Sequence, residues 1–163
     1  MRIRVAIPLL PRVILLTLLS AGSAAPSFAD FAAGLEAYDA GDYATAFEAW
    51  RPLAEAGDVE AQLALAGLFS DGVGVPPDHA EAVRWYRMAA EQGDPVGQLN
   101  LGDFYARGLG VARDLGQAVY WLTLSARQGR RWPKRRIAEL EPLLTRAERA
   151  ALERLLAAEG RSP

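Results

Sequence analysis

Three stretches of the chain end alike at a fixed interval. Ala54-Glu-Ala-Gly57, Ala90-Glu-Gln-Gly93 and Ala126-Arg-Gln-Gly129 follow one another 36 residues apart. A period of that length constrains the fold more than any single motif, because each unit must bury its apolar face against the next copy of itself. Stacked helical units satisfy that demand. Function in such an array lies on the surface the units share and not in a pocket of rare chemical groups.

The second halves of the units carry one helical stripe each. Ala46, Phe47, Trp50, Leu53 and Ala54 recur as Ala82, Val83, Tyr86, Ala89 and Ala90, and again as Ala118, Val119, Leu122, Ser125 and Ala126. That spacing is one face of an amphipathic helix. Ala61, Leu65 and Phe69 recur as Gly97, Leu101 and Tyr105, one face of a first helix. Asp58 and Asp94 stand at N-cap positions, with Pro95 at the favoured first helical position. Gly57, Gly93 and Gly129 stand where a helix end takes a left-handed residue. Gly72-Val-Gly74-Val75 and Gly108-Leu-Gly110-Val111 predict tight turns between the two helices. Asp78 with Glu81, and Asp114 with Gln117, read as capping boxes for the following helices. Residues 58–93 and 94–129 are identical at 14 of 36 positions, nearly all of them stripe, cap or turn positions.

Taken in order, Ala61, Leu65, Phe69, Gly72, Gly74, Val75, Asp78, Ala82, Trp85, Ala90 and Gly93 resemble the Sel-one-like repeat, a relative of the tetratricopeptide repeats with a longer inter-helix loop. Two full repeats match, over residues 58–129. The resemblance implies an all-α, right-handed superhelix (an α-solenoid) of stacked antiparallel helix pairs, with adaptor or regulatory roles. Residues 30–57 depart from the pattern, since Phe31, Leu35 and Tyr38 lead straight into Ala40-Gly41-Asp42-Tyr43 without a Gly-x-Gly-Val loop. They read as an N-terminal tetratricopeptide-like capping unit. Residues 130–163 read as C-terminal capping helices: Ile137 and Leu140 continue a stripe that Pro142 stops, and Thr145 with Glu148 cap a last helix. Terminal units must cover the exposed core, so atypical ends are expected.

Residues 1–29 read as a secretory signal peptide. Arg2, Arg4 and Arg12 form a basic leader, Val13 begins a short apolar core, and Ser27-Phe28-Ala29 supplies small residues before a cut. The expected location is the bacterial periplasm. The alternative is anchoring to the inner membrane by an uncleaved N-terminal segment, although the apolar core is shorter than the roughly 20 residues a span needs. There is no Cys, so no disulfide supports the fold. Charge is unevenly spread: residues 30–100 carry a formal −10 and residues 101–163 carry +5. Such an axial dipole can steer partners or favour end-to-end contact.

Candidate chemistry is sparse. His79 is the only histidine. It stands at the first helical position after Asp78 and reads as solvent-facing, which leaves no catalytic triad and no zinc cluster. The Gly-x-Gly turns lie between helices and lack a phosphate-binding Lys, so they read as structural. Among carboxylates near loops, Asp71, Asp78, Asp103 and Asp114 are not spaced in a way that identifies a hydrolytic pair. Trp85 and Trp121 share one repeat position and read as packing residues. Arg130, Arg131, Lys134, Arg135 and Arg136 surround Trp132 and form a possible basic contact patch. The plainer reading is a solvated start to the C-terminal helices with Trp132 packed on the last repeat. The first-helix face outside the stripe carries Ala64, Gly67 and Asp71, then Asn100, Asp103 and Arg107. That face lines the concave side of a helix-pair stack and is the expected partner-binding surface.

These features predict an exported, non-enzymatic protein-interaction module that holds a protein or peptide on its concave face, with no cofactor or metal. Nucleic acid is excluded as a partner by export, and membrane contact is confined to the leader or to weak attraction by the basic patch. Two other readings compete: an envelope-associated enzyme acting on a cell-wall fragment, and a self-associating envelope structural protein.

Overall fold

A computed structural model describes residues 28–129 and 131–160; most of the expected leader, and Arg130 of the basic patch, lie outside the described residues. The described chain is a run of helices: α1 (Phe28–Asp39), α2 (Tyr43–Glu55), α3 (Val59–Asp71), α4 (His79–Glu91), α5 (Pro95–Arg107), α6 (Leu115–Arg127), α7 (Arg131–Leu140), a 3-10 turn (Glu141–Leu143) and α8 (Arg146–Glu159). No strand occurs among the described residues. Each helix from α1 to α6 packs against the next in sequence, and α6 receives both α7 and α8. The result is an all-α right-handed superhelix of antiparallel pairs. Helix α1 begins at Phe28, two residues before the expected cut after Ala29.

Local chemistry sets the helix boundaries. The carboxylates of Asp42, Asp58, Asp78, Asp94 and Asp114 each accept a backbone N–H from the first turn of the following helix. Two of the expected capping boxes are only half formed. Glu81 does not reach back to Asp78, because Arg84 takes its carboxylate at 2.8 Å. Gln117 gives Asp114 only its backbone N–H. A reciprocal box is complete at Thr145 and Glu148, which starts α8.

The predicted stripes form the core. Ala46, Trp50, Leu53 and Ala54 of α2 are buried with Ala61 and Leu65 of α3, Ala82, Val83, Tyr86 and Ala90 of α4, and Leu101 of α5. A second cluster joins Ala118, Val119 and Leu122 of α6 to Leu140, Leu144 and Leu152. At the α4–α5 crossing a Cβ on Gly97 would stand 2.8 Å from the Ala90 nitrogen, so these backbones approach more closely than any larger residue permits.

Two devices repeat at the joints between units. The first is a pair of amides. Buried Gln62 donates to the Ala54 carbonyl of the preceding unit at 3.1 Å and accepts from Gln92 of its own unit at 2.9 Å. One period later Gln98 donates to Ala90 at 3.3 Å and accepts from Gln128 at 3.1 Å. Each amide thus adds a second hydrogen bond to a helix-end carbonyl that already accepts the Gly57 or Gly93 backbone N–H, and ties one unit to the next. The second device is a glycine contact. Gly74 and Gly110, both at positive φ, rest on the first residues of α2 and α4 of the preceding units, Tyr43 and His79. A Cβ on Gly110 would lie 2.2 Å from the His79 carbonyl oxygen. The inter-helix loop is therefore a joint as well as a turn.

Candidate interaction surface

The odd-numbered helices supply the predicted partner-binding residues, and the structure divides them into two places. Ala64, Gly67 and Asp71 of α3 face α1 across an open groove of about 250 Å³. Leu35 and Tyr38 of α1 and Leu63 of α3 also line it, with the Trp50 ring at its base. Trp50 fills the space behind α1, stacking on Phe31 at 5.6 Å and donating its indole N–H to the Phe31 carbonyl at 3.1 Å. Leu35 and Tyr38 stay 46% and 40% exposed on the groove side of α1. Gly67 has no atom of the described residues within 4 Å of where a Cβ would stand, so among them the middle of the groove is open space.

Asp103 and Arg107 of α5 lie farther along the stack and are not free. Arg107 pairs with Asp103 at 3.2 Å, and Asp103 also meets Arg136 of α7 at 3.6 Å. Arg136 and Arg135 both pair with Glu139, and hydrogen bonds from Arg136 and then Arg135 hold the Glu139 carboxyl below the usual range. Asn100 is partly exposed between the two regions. The expected continuous row is thus closed off at α5 by ion pairs and open at α3. The concave-face residues and the basic patch, separate in the sequence, meet at Asp103 and Arg136.

Two expectations fail here. Trp132 does not pack on the last repeat: it is 53% exposed, because Pro133 and not Trp132 takes the buried position in the first turn of α7. Arg131 and Lys134 are exposed beside it and make no ion pair among the described residues. His79 is not solvent-facing either. It is half-buried, edge-on to Phe104 at 5.8 Å, with Nδ1 buried and without a hydrogen-bond partner among the described residues. The loop carrying Gly110 covers it. Trp85 is buried and Trp121 half-buried, in keeping with packing.

The carboxylates weighed for hydrolysis are mostly occupied. Asp78 and Asp114 are caps and Asp103 is ion-paired, leaving Asp71 at the groove rim. Burial, with the Asp71 charge second, pushes the Tyr86 phenol up to about 12, so it stays protonated at neutral pH. No group of three His, Asp or Glu among the described residues is placed to hold a metal ion. No helix among them is long and apolar enough to cross a membrane.

Sequence reasoning missed the paired glutamines. Gln62 and Gln98, and Gln92 and Gln128, are identical across the repeat yet belong to neither stripe nor cap, and that exact recurrence was the available signal.

Fold and surface together define the class: a helical-repeat scaffold whose open features lie on the first-helix side. The model of the Sel1 repeat matches residues 59–94 and 95–129. A Sel1 repeat protein from Oxalobacter formigenes has a similar structure, with a TM-score of 0.62, 34% identity, and coverage of 68% of this chain and 86% of that one. A protective antigen of uropathogenic Escherichia coli displaying an SLR fold superposes with a TM-score of 0.67 at 31% identity over 80% of this chain. This chain spans only 30% of that antigen's length. No curated protein matches the chain. The chain belongs to the Sel1 repeat family. Members of this family are typically protein-interaction modules.

Proposed function

We propose that this protein is an exported, non-enzymatic adaptor or regulator that holds a protein partner on the first-helix face, read as the concave side of the stack. The supporting observation is the uncovered apolar groove between α1 and α3, set in a scaffold whose remaining apolar stripes are buried. Repeat stacks present extended surfaces of this kind to partners. The basic leader with its short apolar core supports export to the periplasm. The proposal excludes a catalytic role and a nucleic-acid partner.

Photo-crosslinking in intact cells tests the reading. A crosslinker placed at Ala64 or Asn100 should trap a discrete partner, and one placed at exposed Arg51 on α2 should not. Equal trapping from all three positions, or none from Ala64 and Asn100, would discard it. Fractionation of the same cells tests export: a chain recovered with cytoplasmic markers at its full mass would overturn that part.

A further inference from the structure

The groove at one end of the stack and the tip of α7 at the other are chemical complements. The groove has an apolar floor (Leu35, Tyr38, Leu63 and Trp50) and one carboxylate in its lining. Asp71 lines it, and Glu36 and Asp39 stand exposed beside Leu35 and Tyr38 on α1. The α7 tip presents an exposed indole, Trp132, flanked by exposed Arg131, Lys134 and Arg135. An apolar cavity of about 150 Å³ already holds a benzene ring, so a groove of about 250 Å³ admits an indole. Trp and Arg together are the side chains most often found anchoring interfaces. The opposite formal charges of the two halves, −10 and +5, orient such an encounter from a distance.

We infer that the groove takes the Trp132 tip of a second copy of this chain, joining the copies head to tail. This rests on the reading of the first-helix face as an interaction surface and names its occupant. Trp132 of one copy sits between α1 and α3 of the next, and its basic neighbours face Asp71, Glu36 and Asp39. The contact is heterologous, because groove and tip are different surfaces. Each joined pair therefore keeps one free groove and one free tip, and the array grows unless a cap stops it.

Two substitutions separate the halves of the contact without touching the core. Trp132→Ala removes the anchor. Gly67→Trp fills the groove from a position where an added Cβ meets no described atom. The full chain, purified from exporting cells, should associate with rising concentration at low salt by analytical ultracentrifugation. Association should weaken as salt shortens the screening length from about 10 Å at 0.1 M to about 3 Å at 1 M. Each variant alone should bind itself about tenfold or more weakly. Mixed together, the two should form a one-to-one pair that grows no further, since Trp132→Ala retains a good groove and Gly67→Trp retains a good tip.

A wild-type chain that stays monomeric at low salt would overturn the inference, as would association unchanged by either substitution, or a mixture that gives no pair. A monomer that binds anionic vesicles through Trp132 would overturn it in favour of a membrane contact. A monomer in which Gly67→Trp abolishes partner trapping from Asn100 would also overturn it, while leaving the broader adaptor reading standing.

Discussion

The joints inside the stack and the closure at its C-terminal end solve one problem with different chemistry. Between the first three helix pairs, backbone meets backbone at Gly74 and Gly110, and neutral amides of Gln62 and Gln98 bridge to helix-end carbonyls of the preceding unit. At the closure both devices are gone. Lys134, one period beyond Gln98, is exposed. The N-terminus of α6 is covered by α8, where Glu148 accepts from the Leu115 backbone N–H at 3.2 Å. Glu159 likewise accepts from the Tyr120 hydroxyl at 2.8 Å. Interior joints are therefore uncharged and defined by close approach, whereas the terminal one depends on carboxylates. The interior should respond to changes of shape and the end to changes of pH.

The largest expected effect tests the glycine contact. Gly110→Ala should cost about 3 kcal/mol or more, since positive φ adds roughly 1–2 kcal/mol to a backbone collision at the His79 carbonyl. A thermal melt should fall by roughly 10 °C or more. A melt unchanged within error would mean the loop does not rest on α4. Next comes the amide pair. Gln98→Leu removes two hydrogen bonds, to the Ala90 carbonyl and from the Gln128 amide, although both groups keep a partner at Gly93, and it should cost about 1–2 kcal/mol. Gln62→Leu should cost about the same in urea titrations, and a large disparity between them would break the equivalence of the two joints.

Gly93→Ala serves as the control. It has the same sign of φ, at +89°, but open space around it, so about 1–2 kcal/mol is expected. A loss as large as that of Gly110→Ala would show that backbone strain alone explains the glycines. The smallest effect lies at the closure. Hydrogen bonds from the Thr145 hydroxyl, then its backbone N–H, hold the Glu148 carboxyl below its ordinary value of 4.5. A depressed folded value gives stability that is present above about pH 4.5 and lost as pH falls through the folded value. Hydrogen exchange should therefore show α8 amides losing protection on acidification before those of α3 and α4, and Glu148→Gln should flatten that dependence. Uniform loss along the chain would erase the distinction between joint and closure.

Much of this could be read from the sequence, because stripe, cap and turn residues act locally. Asp58 and Asp94 cap the helices they precede, and Ala46, Trp50, Leu53 and Ala54 face inward as their spacing requires. What escaped reading depends on geometry between units. Nothing in the order of residues shows that Gly110 rests on His79, or that Asp103 lies beside Arg136, since both pairs meet only after the helices stack. Trp132 misled because a large aromatic beside a repeat ordinarily buries itself. Here Pro133 occupies that position and leaves the indole outside. The groove of the candidate surface was legible as three small or polar residues, Ala64, Gly67 and Asp71. Its other wall, Leu35 and Tyr38, lies in a unit that shares little of the repeat pattern.

The amide pair has a consequence for how such a protein changes length. Donor and acceptor for the next joint are carried within every 36-residue segment, so a tandem copy of residues 58–93 brings its own fittings on both sides. Duplicating that segment should give a longer rod that melts at a higher temperature, with the same two ends. Extension by whole segments is thus open to this lineage through a single in-frame duplication, whereas a short insertion or deletion inside one helix would disturb only the fittings that segment shares with its neighbours.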